Sequence, residues 1–136
     1  MGSGNLYIAN TFHSQVMKIN RTVAPSLSFA PTKVNSTSKD SPKTVQIENI
    51  GNAALKFSAL TYATDFPEGA YDNACTPSTT LEVASSCALT IDFSPVTPLG
   101  SKVSAVLTEF VKLTTNNLNA PNAVEKVTVT GTETKP

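Results

Sequence analysis

The feature that most constrains the fold is a period of two in residues 81–93, LEVASSCALTIDF. Side chains on a β-strand point alternately to its two faces, so this pattern predicts a strand with one buried and one exposed face. A strand of that kind needs a sheet, and the sheet needs a second layer against its apolar face. With one interruption at Ser85, the apolar positions of one parity are Leu81, Val83, Cys87, Leu89, Ile91 and Phe93.

The same alternation recurs along the chain between groups of turn residues. Strands are predicted at residues 27–31, 43–52, 55–62, 102–115 and 124–132, and residues 65–78 are predicted to form a loop or a broken edge segment. In 55–62 the apolar phase slips after Ala59, which predicts a β-bulge. About seven such strands, with no helical period of useful length, predict an all-β, Ig-like antiparallel β-sandwich. The predicted inward set is Phe29, Val45, Ile47, Leu55, Phe57, Leu89, Ile91, Phe93, Leu107, Val127 and Val129.

The composition argues against several classes of partner. Ten basic and ten acidic residues cancel, so nothing favours nucleic acid, whose binders carry a basic face, or an anionic membrane surface. No apolar run reaches the roughly 18 residues of a membrane helix. The polar residues are mainly 19 Thr, 14 Ser and 11 Asn, which favour strands and turns. We therefore expect neither nucleic-acid binding nor membrane insertion.

No catalytic motif is present in the sequence. It contains no glycine-rich phosphate loop, no H-E-x-x-H and no nucleophile elbow. His13 is the only histidine, and its polar turn favours an exposed residue over a catalytic base. We expect no enzyme activity, no catalytic residue, no metal and no cofactor.

The only acidic cluster consists of Asp65, Glu68 and Asp72, in the segment DFPEGAYD. Calcium prefers several loop oxygens at close spacing, and this spacing matches neither an EF-hand nor an RTX repeat. A pair of glycosidase carboxylates would need a groove of aromatic residues, which this segment lacks. The pattern favours a solvated loop over a calcium site at these three residues.

An ordered set of short motifs runs from residue 25 to residue 132: NIGN, DF, two cysteines, FSPVTPLG and VTVTGT. The set resembles the ASH-type Ig-like domain, named for abnormal spindle and hydin. That resemblance implies an Ig-like sandwich whose bacterial relatives are secreted or surface-attached modules. The segment VTPL before Gly100 and the long segment 103–116 depart from the family pattern. The matching residues are Asn49, Gly51, Asn52, Asp65, Phe66, Cys75, Cys87, Phe93, Pro95, Gly100, Gly131 and Thr132.

The opening segment, GSGNLYIANTFHSQVMKI, resembles part of an NHL-type propeller repeat, with strands at 6–9 and 16–19. One repeat cannot bury its own face, so we expect residues 5–20 to pair with an edge of the sandwich or with a second copy. The resulting domain organisation has three parts. They are 1–23, an added start plus a partial NHL-like repeat; 24–133, the sandwich; and 134–136, a tail.

Cys75 and Cys87 are the two cysteines of the chain. Their spacing is wrong for a C-x-x-C redox pair, and one histidine is too few to complete a zinc site. In a cytosolic protein they would be two buried thiols. In the secreted module that the resemblance implies, an even count predicts a disulfide. We predict this bond and, with it, an extracellular, cell-surface or periplasmic location in a bacterium.

Two function hypotheses remain open on the sequence alone. The first is a non-catalytic Ig-like structural or protein-interaction module of a larger secreted or cell-surface bacterial protein that carries an NHL propeller. Its partners would be proteins, bound through loops or an exposed strand edge. The alternative is a carbohydrate-binding β-sandwich, for which three Tyr and no Trp supply few aromatic platforms.

Overall fold

The computed structural model describes residues 6–10, 15–19, 25–117 and 122–136. The first two ranges form a hairpin, in which β1 (Leu6–Asn10) pairs antiparallel with β2 (Gln15–Ile19). The two strands predicted for the opening segment are therefore present. The predicted pairing of residues 5–20 with a sandwich edge or a second copy stays a prediction, and His13 lies outside the described residues.

The described residues from 25 onward form two β-sheets and no α-helix, which confirms the predicted all-β sandwich. The strands are β3 (Ser26–Ser28), β4 (Thr32–Lys33), β5 (Lys43–Glu48), β6 (Leu55–Thr61), β7 (Thr80–Leu81), β8 (Ser86–Ile91), β9 (Ser104–Thr115) and β10 (Ala123–Thr134). The large sheet has the order β3-β10-β9-β6-β7, and β4 also pairs with β10. β3 and β4 run parallel to β10, while the other pairs are antiparallel. Within the same described ranges, no helix is long and apolar enough to cross a membrane.

The small sheet pairs β5 antiparallel with β8, and residues 67–75 cover the other edge of β8. The backbone N–H of Gly69 donates to the Thr90 carbonyl at 3.0 Å, and that of Cys75 donates to the Ala88 carbonyl at 2.8 Å. Residues 67–75 belong to the segment predicted as a loop or a broken edge segment, and they pair with β8 at two places, antiparallel at Glu68 and parallel at Ala74. The backbone groups along this edge of β8 are satisfied instead of being open to other chains.

Three phenylalanine rings meet at the centre of the sandwich. The Phe66 ring centroid lies 4.8 Å from that of Phe93 and 5.7 Å from that of Phe29. Every residue of the predicted inward set belongs to this core or packs against it, so that prediction is confirmed.

The period of two in residues 81–93 predicts most of the buried residues and is wrong at two positions, Val83 and Thr90. Val83 was expected inside but is 52% exposed, because the chain turns there with Ala84 at a φ of 60°. Thr90 points away from the core and is nevertheless fully buried. A Cβ on Gly69 would lie 3.0 Å from Thr90 Cγ2, so the segment that covers the β8 edge also packs on this face.

The β-bulge predicted in residues 55–62 is confirmed. Phe57 pairs with Thr115 and Ala59 pairs with Thr114, so β6 contains one extra residue relative to β9 at this point. The shift lets both Phe57 and Leu60 face the core although they are three residues apart.

Asp40 organises the turn before β5. Its carboxylate lies 2.8 Å from Lys43 Nζ, accepts a 2.5 Å hydrogen bond from Ser38 Oγ, and accepts the backbone N–H of Ala30 at 3.1 Å. The hydrogen bond from Lys43, followed by that from Ser38, holds the pKa of Asp40 well below its usual range.

Asp40→Asn is expected to lower the free energy of unfolding at neutral pH by about 1 kcal/mol, a small value because the Asp40 side chain is 33% exposed. Folding lowers this pKa, so the stabilisation is complete above the unfolded-state value of about 3.9 and is lost as the pH falls through the folded-state value. We therefore expect the difference in the free energy of unfolding between the wild type and the variant to become smaller as the pH falls to about 2, measured by denaturant unfolding. Asp72→Asn is the control for an exposed loop carboxylate, and a gap that does not change with pH would contradict the expectation.

Candidate interaction surface

The three acidic residues considered as a calcium site do not converge. Asp65 is buried, whereas Glu68 and Asp72 are exposed. Among the residues that the structure describes, no group of three His, Cys, Asp or Glu side chains could hold a metal ion.

Asp65 instead connects two loops through hydrogen bonds. Its Oδ1 accepts the backbone N–H groups of Val96 at 2.6 Å and Thr97 at 3.1 Å, and its Oδ2 accepts the Thr97 hydroxyl at 2.7 Å. Both carboxylate oxygens are therefore occupied by hydrogen bonds that close the segment after β8 onto the segment after β6. The role that this geometry supports is structural.

Two further groups near this loop have raised pKa values. Burial, together with the nearby Asp65 carboxylate, raises the pKa of Glu109, whose Oε2 accepts the Asp65 backbone N–H at 3.4 Å. Burial, followed by the charge of Glu68, raises the pKa of Tyr62 to about 12. Glu109 is tied to a backbone amide and Tyr62 stays neutral, so neither group is arranged as an acid or base facing a substrate.

The predicted disulfide between Cys75 and Cys87 is present, with the two Cα atoms 5.1 Å apart and both residues buried. The bond joins the segment that covers the β8 edge to β8 itself. Its position explains how a segment without regular alternation keeps its place in the sheet.

Two shallow depressions adjoin this segment and share Tyr71, which is 57% exposed. The larger, of about 550 Å³, is lined by Glu68, Asp72 and their neighbours. The smaller, of about 200 Å³, is lined mainly by polar side chains of β5 and by Asn73. Tyr71 is the one aromatic residue that lines these two depressions, so they offer a single stacking platform for a ligand.

A more extended surface lies on the outward side of the large sheet. Val111 and Val129 point into the core, so the alternate residues of β9 and β10 point outward. Three large apolar side chains are exposed there: Val106 at 71%, Phe110 at 43% and Val124 at 53%. The outward lysines are Lys33, Lys56, Lys112 and Lys126. We call this surface the lysine face.

The lysine face was not found from the sequence. The sequence feature that could have indicated it is an alternation common to residues 104–114 and 124–134, in which the even-numbered positions carry polar or exposed apolar residues. The pairing of Lys112 with Lys126, however, is a register between two distant strands. Parity within each strand does not reveal that register.

A scan against protein-family models finds no match, and a search of curated proteins finds none. Among solved structures, an ASH/PapD-like domain of human CEP192, its PapD-like domain 7, matches with a TM-score of 0.51 and 16% sequence identity, covering 84% of this chain and 82% of that chain. The fold is ASH/PapD-like. A protein of unknown function from Porphyromonas gingivalis W83 matches with a TM-score of 0.53 and 14% identity, covering 96% of this chain and 66% of that chain. The ASH-like fold implied by the sequence resemblance is thereby supported, and at these identities the comparison concerns the fold alone.

Proposed function

We propose that this ASH/PapD-like domain is a non-catalytic interaction module that binds a partner protein through the lysine face. The observation that carries the proposal is the exposure of Val106, Phe110 and Val124 on one side of one sheet. Single exposed apolar residues are ordinary. These three share one face and are spaced four residues apart along β9 and β10, an arrangement that suits an extended partner segment instead of a compact one. A partner that covers them removes apolar surface from water, which is the main favourable term in protein association.

The proposal extends to the setting of the module. The disulfide between Cys75 and Cys87 supports an oxidising compartment, and so a secreted, cell-surface or periplasmic location. The assignment to a bacterium rests on the sequence resemblance. The antiparallel pairing of β1 with β2 is compatible with the NHL-like repeat suggested by residues 5–20. We assign the hairpin to the end of a propeller that precedes the sandwich in a larger protein. Pairing of residues 5–20 with a second copy belongs to the same proposal, because a lone hairpin is marginal in water.

The test is selection of peptide ligands. A random-peptide phage library is panned against the immobilised wild type, and the enriched peptides are measured on a Val106→Ser, Phe110→Ser variant. We expect these peptides to bind the wild type saturably and the variant about tenfold more weakly, because the substituted side chains supply the apolar contact.

The matched control removes equally exposed apolar side chains from outside the lysine face. Ile50 is 75% exposed and Val96 is 48% exposed, so the Ile50→Ser, Val96→Ser variant should bind as the wild type does. Enriched peptides that bind all three proteins equally, or no enrichment at all, would overturn the proposal.

The second candidate function is carbohydrate binding at Tyr71, favoured by the two depressions that this exposed residue lines. A glycan array separates the two functions. Saturable glycan binding that is lost in Tyr71→Ala, with no peptide enrichment on the lysine face, would favour a carbohydrate-binding module.

A further inference from the structure

The lysine face carries charge of one sign. The residues that point outward from the described strands of the large sheet include four lysines and no Asp or Glu. The whole chain has equal numbers of basic and acidic residues, so the residues outside the lysine face carry a net negative charge. Interspersed charges of both signs are the usual arrangement on a soluble surface.

Two of the lysines lie side by side. Lys112 on β9 is the direct cross-strand partner of Lys126 on β10. The backbone N–H of Lys135 donates to the Val103 carbonyl at 3.1 Å, and the register continues from there without a shift. Odd-numbered residues of β9 are therefore in the hydrogen-bonded pairs. Lys112 and Lys126 form a non-hydrogen-bonded pair, which brings side chains closer.

The direct pairing of Lys112 with Lys126 costs stability, because like charges opposite each other destabilise a sheet. Lysines on edge strands protect against aggregation, but Lys112 is an interior position that pairs with Lys126 of β10 on one side and with Thr61 of β6 on the other. The Lys126 ammonium lies 5.5 Å from the centroid of the exposed Phe110 ring, so cationic and apolar groups are adjacent on this face.

We infer that the partner of the lysine face is an acidic polypeptide segment that also carries apolar side chains. This inference rests on the proposed function and specifies the chemistry of its ligand. Carboxylates of the partner would neutralise Lys112 and Lys126, and its apolar side chains would cover Val106 and Phe110. A polysaccharide or a nucleic acid could supply the negative charge, but it would leave the exposed aliphatic side chains without an apolar partner.

The experiment uses a labelled peptide of alternating Glu and Leu, about ten residues long, the length of a long strand. Two relatives of this probe replace Glu by Lys or Leu by Ser. Fluorescence anisotropy is measured on the wild type, Lys112→Glu, Lys126→Glu and the double variant. We expect the Glu–Leu peptide to bind the wild type best, and the double variant to bind it about tenfold more weakly. Added salt should weaken the wild-type complex.

A stability measurement separates binding from folding. Lys112→Glu converts a like-charge pair into an opposite-charge pair, so it should raise the melting temperature by about 2 to 4 °C while it weakens peptide binding. The double variant restores a like-charge pair and should melt close to the wild type. The control variant Lys39→Glu, Lys135→Glu changes two exposed lysines that do not belong to the lysine face. It should bind the Glu–Leu peptide with an affinity within about twofold of the wild type.

Several outcomes would overturn the inference. Equal binding of the Glu–Leu and Lys–Leu peptides would remove the acidic requirement, and equal binding of the Glu–Ser peptide would remove the apolar one. Tighter binding of heparin or single-stranded DNA, insensitive to Val106→Ser, would assign the face to another class of polyanion. Concentration-dependent self-association that competes with the peptide would assign it to a second copy. If phage panning yields peptides that depend on Val106 and Phe110 but show no excess of Asp and Glu, the proposed function stands and this inference falls.

Discussion

Phe93→Ala is expected to lower the free energy of unfolding by about 3 to 5 kcal/mol, the largest effect of any single substitution considered for this chain. Phe93 is fully buried and stacks on Phe66 at 4.8 Å, with Phe29 at 5.9 Å on another side. Removing the ring deletes a large apolar side chain and leaves a cavity between two sheets whose backbones are held by hydrogen bonds. Urea unfolding of both proteins measures the difference.

Gly131 provides a sharper control on the same packing. A Cβ added at Gly131 would lie 2.5 Å from both Cε1 and Cζ of Phe93, closer than atoms can approach. Gly131→Ala alone should therefore destabilise the domain by about 1 to 3 kcal/mol. With Phe93→Ala already present the added methyl has room, so the double variant should lose less than the sum of the two single losses. Additive losses would show that the Phe93 ring is not what requires glycine at position 131.

The packing of Gly131 against Phe93 also shows why the sequence motifs could predict the fold. The motif residues that carry the resemblance to ASH domains are largely framework residues in the structure. Asn49 is buried, and its side-chain amide donates to the carbonyls of Ala53 and Leu81 at 2.9 Å each. Asp65 fastens a loop, and Gly131 makes room for Phe93. The motifs therefore identified the fold, and they contain no information about a ligand.

Periodicity located the buried residues because each strand of a sandwich shows one face to the core. It failed where a neighbour covers the second face, as residues 67–75 do at Thr90, or where the chain turns, as at Val83. It also missed the lysine face. The cross-strand contact of Lys112 with Lys126 depends on the pairing of β9 with β10, and the position of Lys56 depends on the bulge in β6. Such contacts follow from tertiary pairing, which the local pattern of one strand does not determine.

Cys75→Ala with Cys87→Ala is expected to lower the free energy of unfolding by about 3 kcal/mol. The cysteines are 12 residues apart in sequence, so the bond closes a short loop and restricts the unfolded chain. The fully buried position of Cys75 adds the loss of packing when its sulfur is removed. Urea unfolding gives the free energy, and the wild type in the presence of reductant should approach the double variant.

The disulfide should also have a local signature that distinguishes it from general loss of stability. The hydrogen bonds from Gly69 to Thr90 and from Cys75 to Ala88 hold an irregular segment on β8, and the bond anchors its end. Without the bond this segment should open more often than the sheet does. Amide exchange at Gly69, position 75 and Asp92 should then accelerate more than exchange along β9 and β10.

Opening would expose the β8 edge, so the reduced protein should also aggregate more readily at high concentration. If exchange at Gly69 is unchanged in the double variant, backbone hydrogen bonds alone hold the segment, and the stabilising effect of the disulfide acts on the unfolded chain.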